Sequence, residues 1–365
     1  QENRHGFTET IYLLLFGRLP NSEELGEFRM VLNSMTPLHP GVVETSILQF
    51  PSPNVMNKLQ RIILVHYALD ENPDDVSLSN VTRQALSLIA KFPSIIAYSY
   101  QALRHKLHGD SLFVHPPDEH LCCAENFLYM LRPDKCYSTL EADLLDLSLV
   151  LHADHGGGNN STFTTHVVTS TYTDTYSAIS AAVGSLKGPL HGAANSSVMA
   201  MMTNIKENVK DWDDEDEVSH YLTKILNKEA HNKTGLIYGI GHAVYTLSDP
   251  RAVILKEKAL ALAEEKGRSD EFRLYVNVEK LAPKLFRQVR STEKVVCANV
   301  DFFSGFVYDL LGFPMEIYTP LFAMSRIAGW AAHRLEELLN GGRIIRPAYK
   351  YVGKYKNYVP LVDRI

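Results

Sequence analysis

Apolar residues recur at helical spacing along almost the whole chain, and runs that alternate every second residue are scarce. Asn21 to Glu24 reads as a capping box, an acceptor side chain followed three residues later by Glu. It opens a helix with Leu25, Phe28 and Leu32 on one face. Ser138 to Glu141 repeats the pattern and leads into Leu140, Leu144, Leu147 and Leu151. Steps of four, three and four put these leucines on one helical face, and the helix delivers His152 at its end. Thr319-Pro320 predicts an N-cap followed by proline at the first helical position. That helix runs through Ala323, Ala328, Gly329, Ala331 and Ala332, small residues that permit close packing, to a stop at Asn340-Gly341-Gly342. The predicted fold class is all-α, with at most minor β-structure.

The chain has 365 residues, a length that suggests roughly two domains and a large core. It shows no tandem repeat and no low-complexity linker. The acidic run Asp211 to Glu217 reads as a solvated turn or helix start, and Pro116-Pro117 as a loop. Hydrophobic residues make up 45% and charged residues 21%, ordinary globular usage. The net charge of −6 argues against a nucleic-acid partner, so an anionic ligand would need a local cluster of Arg or His. Only four cysteines occur and none forms a C-x-x-C pair, which points to a reducing compartment and to neither a zinc knuckle nor a redox motif. Apolar runs such as Ile11 to Phe16 are far too short to span a membrane. The sequence opens at Gln1 rather than Met, so a leader before it would not be visible.

Several segments carry candidate chemistry against this helical background. Leu151-His152-Ala153-Asp154-His155-Gly156 follows a helix and runs into glycines. Its H-x-x-H spacing could hold a metal on a helix, or the histidines could simply cap carbonyls. Gly188-Pro189-Leu190-His191-Gly192 and Gly239-Ile240-Gly241-His242 each set a histidine among glycines, which lets a ligand approach the backbone closely; each could equally be an ordinary loop. Asp249 and Arg251 follow the second of these as a ready pair. Asp301, beside Phe302 and Phe303, is a carboxylate that burial would raise toward the range of a general base, or a cap for the helix that follows. Arg326 stands alone among Ala, Met, Ile and Trp, an expensive position for a cation without a partner. Arg346 precedes Pro347 near the C-terminus, where surface solubility is the plain alternative.

In their order these segments resemble the citrate synthase family: L-H-A-D-H at 151–155, G-P-x-H-G-x-A-N at 188–195, G-x-G-H-x-V-Y-x-x-x-D-P-R at 239–251, V-D-F-x-S-G at 300–305, an Arg326 helix reaching Gly329, Trp330 and His333, and Arg346-Pro347. Tyr12 to Pro20 and Glu125 to Leu131 are similar as well, so the resemblance spans essentially the whole chain. It implies a helical homodimer with a shared active site. The large domain would comprise residues 1–191 and 307–365, and a smaller mobile domain of residues 192–306 would close over the substrates. The implied reaction condenses acetyl-CoA with oxaloacetate and then hydrolyses the thioester. Asp301 would take a methyl proton, His191 would hydrogen-bond the thioester oxygen, and His242 would polarise the ketone. His155, Arg251, Arg326 and Arg346 would bind oxaloacetate, with Arg346 supplied by the partner chain. The backbone of Leu236, Ile237, Tyr238, Gly239, Ile240 and Gly241 would border CoA. Neither a cofactor nor a metal is expected, acetyl-CoA being a substrate, and neither membrane nor nucleic acid is an expected partner. The expected compartment is the cytoplasm, with the mitochondrial matrix as alternative.

The chain departs from the family pattern at two places. Gly156 stands where Glu usually follows His155, and Thr246-Leu247-Ser248 stands where a basic residue often contacts CoA phosphate; Lys187 is a candidate substitute. The rival readings are 2-methylcitrate synthase, which uses propionyl-CoA, a zinc hydrolase built on His152 and His155, and a non-catalytic relative. One methylene is a weak discriminator, and no residue decides the first. The second lacks H-E-x-x-H, and the third is opposed by the presence of His191, His242 and Asp301.

Overall fold

The computed structural model describes residues 5–192, 194–241, 245 and 247–364. Fourteen α-helices occur among them: α1 (Phe7–Phe16), α2 (Ser22–Met35), α3 (Val55–Tyr67), α4 (Leu78–Leu103), α5 (Cys123–Leu131), α6 (Thr139–His152), α7 (Asn160–Thr169), α8 (Thr175–Lys187), α9 (Ala194–Asn208), α10 (Glu215–Leu226), α11 (Pro250–Glu265), α12 (Ser269–Arg290), α13 (Val300–Leu310) and α14 (Tyr318–Asn340). Among the described residues there is no strand; one isolated antiparallel bridge joins Ile240 to Ala298. The all-α expectation holds. No described helix is long and apolar enough to cross a membrane.

Local chemistry sets many of the helix ends. Both predicted capping boxes form, at Asn21–Glu24 ahead of α2 and at Ser138–Glu141 ahead of α6. The acidic run ends in Asp214, whose side chain accepts from the backbone N–H groups of Asp216 and Glu217 and starts α10. Gly341 closes α14 in the left-handed region. The start of α14 differs from expectation. The helix begins at Tyr318, and the Thr319 hydroxyl donates to the Gly192 carbonyl (2.9 Å) instead of capping its own helix.

The helix α14 runs through the centre, packed against α1, α3, α4, α6, α7 and α8, with Arg326, Ile327, Ala328 and Trp330 buried. Gly329 makes this possible. A Cβ there would lie 2.5 Å from the Ala153 carbonyl oxygen, and with none the Gly329 N–H donates to that oxygen at 3.1 Å. The end of α6, and with it His152 to His155, is thereby pressed onto α14 beside Arg326. Helices α9 to α13 pack chiefly on one another, and α11 also meets α6. At that junction the nearly buried Glu141 holds Arg132 through two oxygens (2.8 and 2.9 Å) and Lys266 (2.8 Å). Burial alone would raise its carboxyl, but the two cations hold it down to about 2.

Candidate active site

The site forms where the end of α6, the turn after α8, and the starts of α11 and α13 meet the middle of α14. Arg326 is fully buried. Its Nε donates to the His152 carbonyl (2.7 Å), its guanidinium lies 4.6 Å over the Phe322 ring, and Nη1 and Nη2 have no hydrogen-bond partner among the described residues. Burial holds its pKa below the usual value. A cation so placed and largely unsatisfied is costly in a resting protein, and its two free NH2 groups can each give one N–H to the two oxygens of a carboxylate.

His152 is also buried, with Nδ1–H donated to the Ser148 carbonyl (2.8 Å). Burial pushes it down to about 3, so it is a neutral structural residue of the helix end. Among the described residues its Nε2 is buried without a hydrogen-bond partner, and neither His152 nor His155 belongs to a cluster of three or more metal-ligand side chains. His155 is partly exposed on the same loop.

His191 lies half-buried in the turn after α8, its Nε2 3.0 Å from the Ser161 hydroxyl. Burial lowers its pKa, and the positive fields of Arg326 and His155 lower it further. Ser161 also accepts from the Trp330 indole N–H (3.1 Å), so two elements fix the hydroxyl that meets His191.

Asp301 occupies the first turn of α13. It is not that helix's cap; Asn299 is, its side chain accepting from the Asp301 N–H (3.1 Å). Burial raises the Asp301 carboxyl to about 6. Arg251 and Arg326 pull against that rise, and Asp249 adds to it. Arg251 forms the predicted pair with Asp249, donating from Nε (3.0 Å) and Nη2 (2.8 Å). Asp249, 1% exposed, caps α11 and also accepts from the Val300 N–H (3.1 Å), so one carboxylate fixes Arg251 relative to the start of α13.

The segment expected to border CoA docks beside Asp301. The Asn299 N–H donates to the Gly239 carbonyl (2.9 Å), its side-chain amide donates to the Gly241 carbonyl (2.8 Å), and the Gly241 N–H donates to the Cys297 carbonyl (2.7 Å). Gly239 has φ +78°, and a Cβ there would meet Phe302 at 2.8 Å, so only glycine lets the segment lie this close. Leu236 is exposed, Ile237 buried, and Tyr238 and Ile240 partly buried.

Of the sequence-predicted residues, His155, His191, Arg251, Arg326 and Asp301 are brought together: Asp301 feels both arginines, and His191 feels Arg326 and His155. Arg346 stands exposed on the stretch that follows α14. His242 lies outside the described residues. Sequence reasoning missed Ser161 and Asn299, polar residues in helix starts whose only signal was proximity to chemical segments.

The partly buried Asp301 carboxyl thus lies in the field of the fully buried Arg326 and the partly buried Arg251, a set of groups able to hold a carboxylate and to move a proton. The family model described as citrate synthase, C-terminal domain, matches residues 1–348. Citrate synthase of Haloferax volcanii is 38% identical over 98% of this chain and 88% of its own length. Citrate synthase 2 of Bacillus subtilis is 37% identical over 98% and 89%. A 2-methylcitrate synthase of Shewanella oneidensis is 34% identical over 98% and 88%. Among solved structures, citrate synthase from Pyrobaculum aerophilum superposes with TM-score 0.81 at 34% identity, covering 98% of this chain and 86% of that one. A ternary complex of Thermoplasma acidophilum citrate synthase with carboxymethyl coenzyme A and oxaloacetate superposes with TM-score 0.82 at 29% identity, covering 99% and 89%. The chain belongs to the citrate synthase family and is an acyltransferase of that family's type.

Proposed function

We propose that this enzyme condenses acetyl-CoA with oxaloacetate and hydrolyses the resulting thioester, giving citrate and CoA. The observation that carries this reading is Arg326: a fully buried guanidinium with two unpartnered Nη groups, in the field of a carboxyl raised to about 6. A dicarboxylate would complete the first group, and a proton from carbon would suit the second.

In this reading the Asp301 carboxylate takes a proton from the acetyl methyl carbon. His191 donates a hydrogen bond to the thioester oxygen, so the negative charge that develops is never free. That role needs the proton on His191 Nδ1, so the Ser161 hydroxyl, which donates to Asn159 Oδ1 (2.9 Å) in the free protein, would turn its proton to His191 Nε2 while still accepting from Trp330. The enol carbon then attacks the oxaloacetate ketone, and His242 protonates the alkoxide. Water hydrolyses the thioester and CoA leaves as the thiol. Arg251 and Arg326 grip the oxaloacetate carboxylates and His155 joins them. The segment from Leu236 to Gly241 borders CoA, and residues 192–306 close over both substrates and exclude water. The chemistry requires no cofactor.

We propose further that the enzyme works as a homodimer in which Arg346 of one chain completes the other chain's oxaloacetate site. The stretch after α14 supports this, since it carries Tyr349 (92% exposed), Tyr351, Tyr355 and Tyr358 uncovered, an apolar surface suited to a second copy. The proposed compartment is the cytoplasm, where four cysteines would remain the free thiols they are here. A thiol-release assay with oxaloacetate, offering acetyl-CoA and propionyl-CoA in turn, tests the reading. Release that requires oxaloacetate and favours acetyl-CoA is expected. Preference for propionyl-CoA would assign the 2-methylcitrate activity, which the Shewanella relative keeps in view, and no oxaloacetate-dependent release would end the proposal.

A further inference from the structure

A second cluster of titratable groups lies off the condensation site, between α7 and α14. His333, Glu336 and Glu337 fall at i, i+3 and i+4 of α14 and so share one face, and α7 brings His166 against them. His166 Nε2 and His333 Nδ1 face each other at 3.2 Å, with the rings tilted 65° apart. Glu336 Oε2 lies 3.2 Å from the same His333 nitrogen, and all three donor atoms fall within 4.8 Å of one another. Ligands at the corners of a tetrahedron with metal–ligand bonds of about 2.0–2.1 Å lie about 3.3 Å apart. Two of the three edges here already have nearly that length.

The outward nitrogens strengthen the case. His166 Nδ1 meets Glu337 Oε2 at 2.8 Å and His333 Nε2 meets Asp154 Oδ1 at 3.1 Å. In the tautomers that place each outer N–H on its carboxylate, the inner nitrogens carry lone pairs aimed at the common centre. This is the carboxylate–histidine arrangement that orients imidazoles toward a metal. Two lone pairs 3.2 Å apart repel unless a cation lies between them, and Asp154, Glu336 and Glu337 surround the point with negative charge. The side chains of His166, Glu337 and His333 are 17%, 16% and 15% exposed, whereas Glu336 is 60% exposed and leaves a side open for entry.

We propose that His166, His333 and Glu336 bind a divalent transition-metal ion of the zinc class, with water as fourth ligand and with Glu337 and Asp154 holding the two rings. The ion would tie α7 to α14 and, through Asp154, to the loop bearing His155; it takes no part in the condensation. Sequence spacing could not show this site, because His166 and His333 are 167 positions apart.

The test uses the full chain, stripped with a chelator that is then removed, and titrated with Zn²⁺ by calorimetry and with Co²⁺ by visible absorption. One ion per chain and a four-coordinate cobalt spectrum are expected. Glu336→Gln, at the exposed edge and harmless to folding, should weaken Zn²⁺ binding at least tenfold, and His166→Gln should abolish it. Glu337→Gln should weaken it about 10- to 100-fold, as loss of a partner to a metal-bound imidazole does. Absence of saturable binding would mean that a shared proton, not a metal, joins the two rings, and would overturn the proposal. So would a six-coordinate cobalt spectrum, or saturable binding with the same Kd in Glu336→Gln.

Discussion

Arg326→Met separates the two readings of the buried arginine, because they move stability and affinity in different directions. In the free protein the substitution loses the Nε bond to the His152 carbonyl and the contact with Phe322. The first is worth about 1.5–3 kcal/mol as a hydrogen bond from a charged donor, and the second about 1–2 kcal/mol when desolvated. It also removes a buried cation whose Nη1 and Nη2 are unpaired. Each such donor costs about 1–3 kcal/mol. The two sides cancel to within about 2 kcal/mol, so Tm should move by no more than a few degrees in either direction. Substrate binding has no such compensation. A carboxylate deprived of its two-pronged partner in a desolvated site loses about 2–5 kcal/mol, or roughly 30-fold to several thousand-fold in affinity. Thermal unfolding of the free protein, with and without oxaloacetate, should show near-normal Tm in the variant and loss of the stabilisation that oxaloacetate gives the parent. The oxaloacetate KM in the thiol-release assay should rise in step. A Tm lowered by more than about 10 °C with an unchanged KM would show that Arg326 is structural and that the carboxylate lies elsewhere.

Three further outcomes are expected. Asp301→Asn should keep the helical circular dichroism and lower kcat by about 10²–10⁴-fold; in the parent, kcat/KM should fall as the pH drops through about 6, because the base must be ionised and burial has raised it there. A pH profile flat to pH 5 would remove Asp301 from that role. Refolding a mixture of Arg326→Ala and Arg346→Ala chains should restore activity toward about half the parent value per heterodimer, since one site would carry both lesions and the other none; no recovery where mass spectrometry finds heterodimers would confine both arginines to one chain's site. Glu141→Gln should destabilise by about 3 kcal/mol by leaving Arg132 and Lys266 short of a partner. The folded pKa of Glu141 lies below its ordinary value of 4.5, so its contribution is whole above that pH and is lost as the pH falls toward 2; the variant's stability should depend less on pH in that range.

Features decided between near neighbours in the chain were legible without any structure. The capping boxes at Asn21–Glu24 and Ser138–Glu141, the acidic start of α10 and the Gly341 stop each depend on groups within about four residues, and each formed as read. The Asp249–Arg251 pair is equally local. Thr319 shows where such reasoning fails: its capping signature was sound, but the Gly192 carbonyl, 127 residues away, claimed the hydroxyl. Asp301 shows the same in reverse, since Asn299 two residues earlier took the cap and left the carboxylate free for the cleft.

What the sequence by itself determined was the helical class, the ends of several helices and the residue types able to hold a dicarboxylate and move a proton. The tertiary structure alone decided which polar atoms stay unsatisfied and what field they feel. A lone arginine in an apolar helix announces a cost, yet only packing reveals that one nitrogen is paired and two are not. The raised carboxyl of Asp301, the Ser161 hydroxyl at His191 and the meeting of His166 with His333 all depend on groups brought together from distant parts of the chain. Desolvation and Coulomb fields depend on distance in space, and the hydrophobic spacing that writes a helix into a sequence says nothing about which helix will lie beside it.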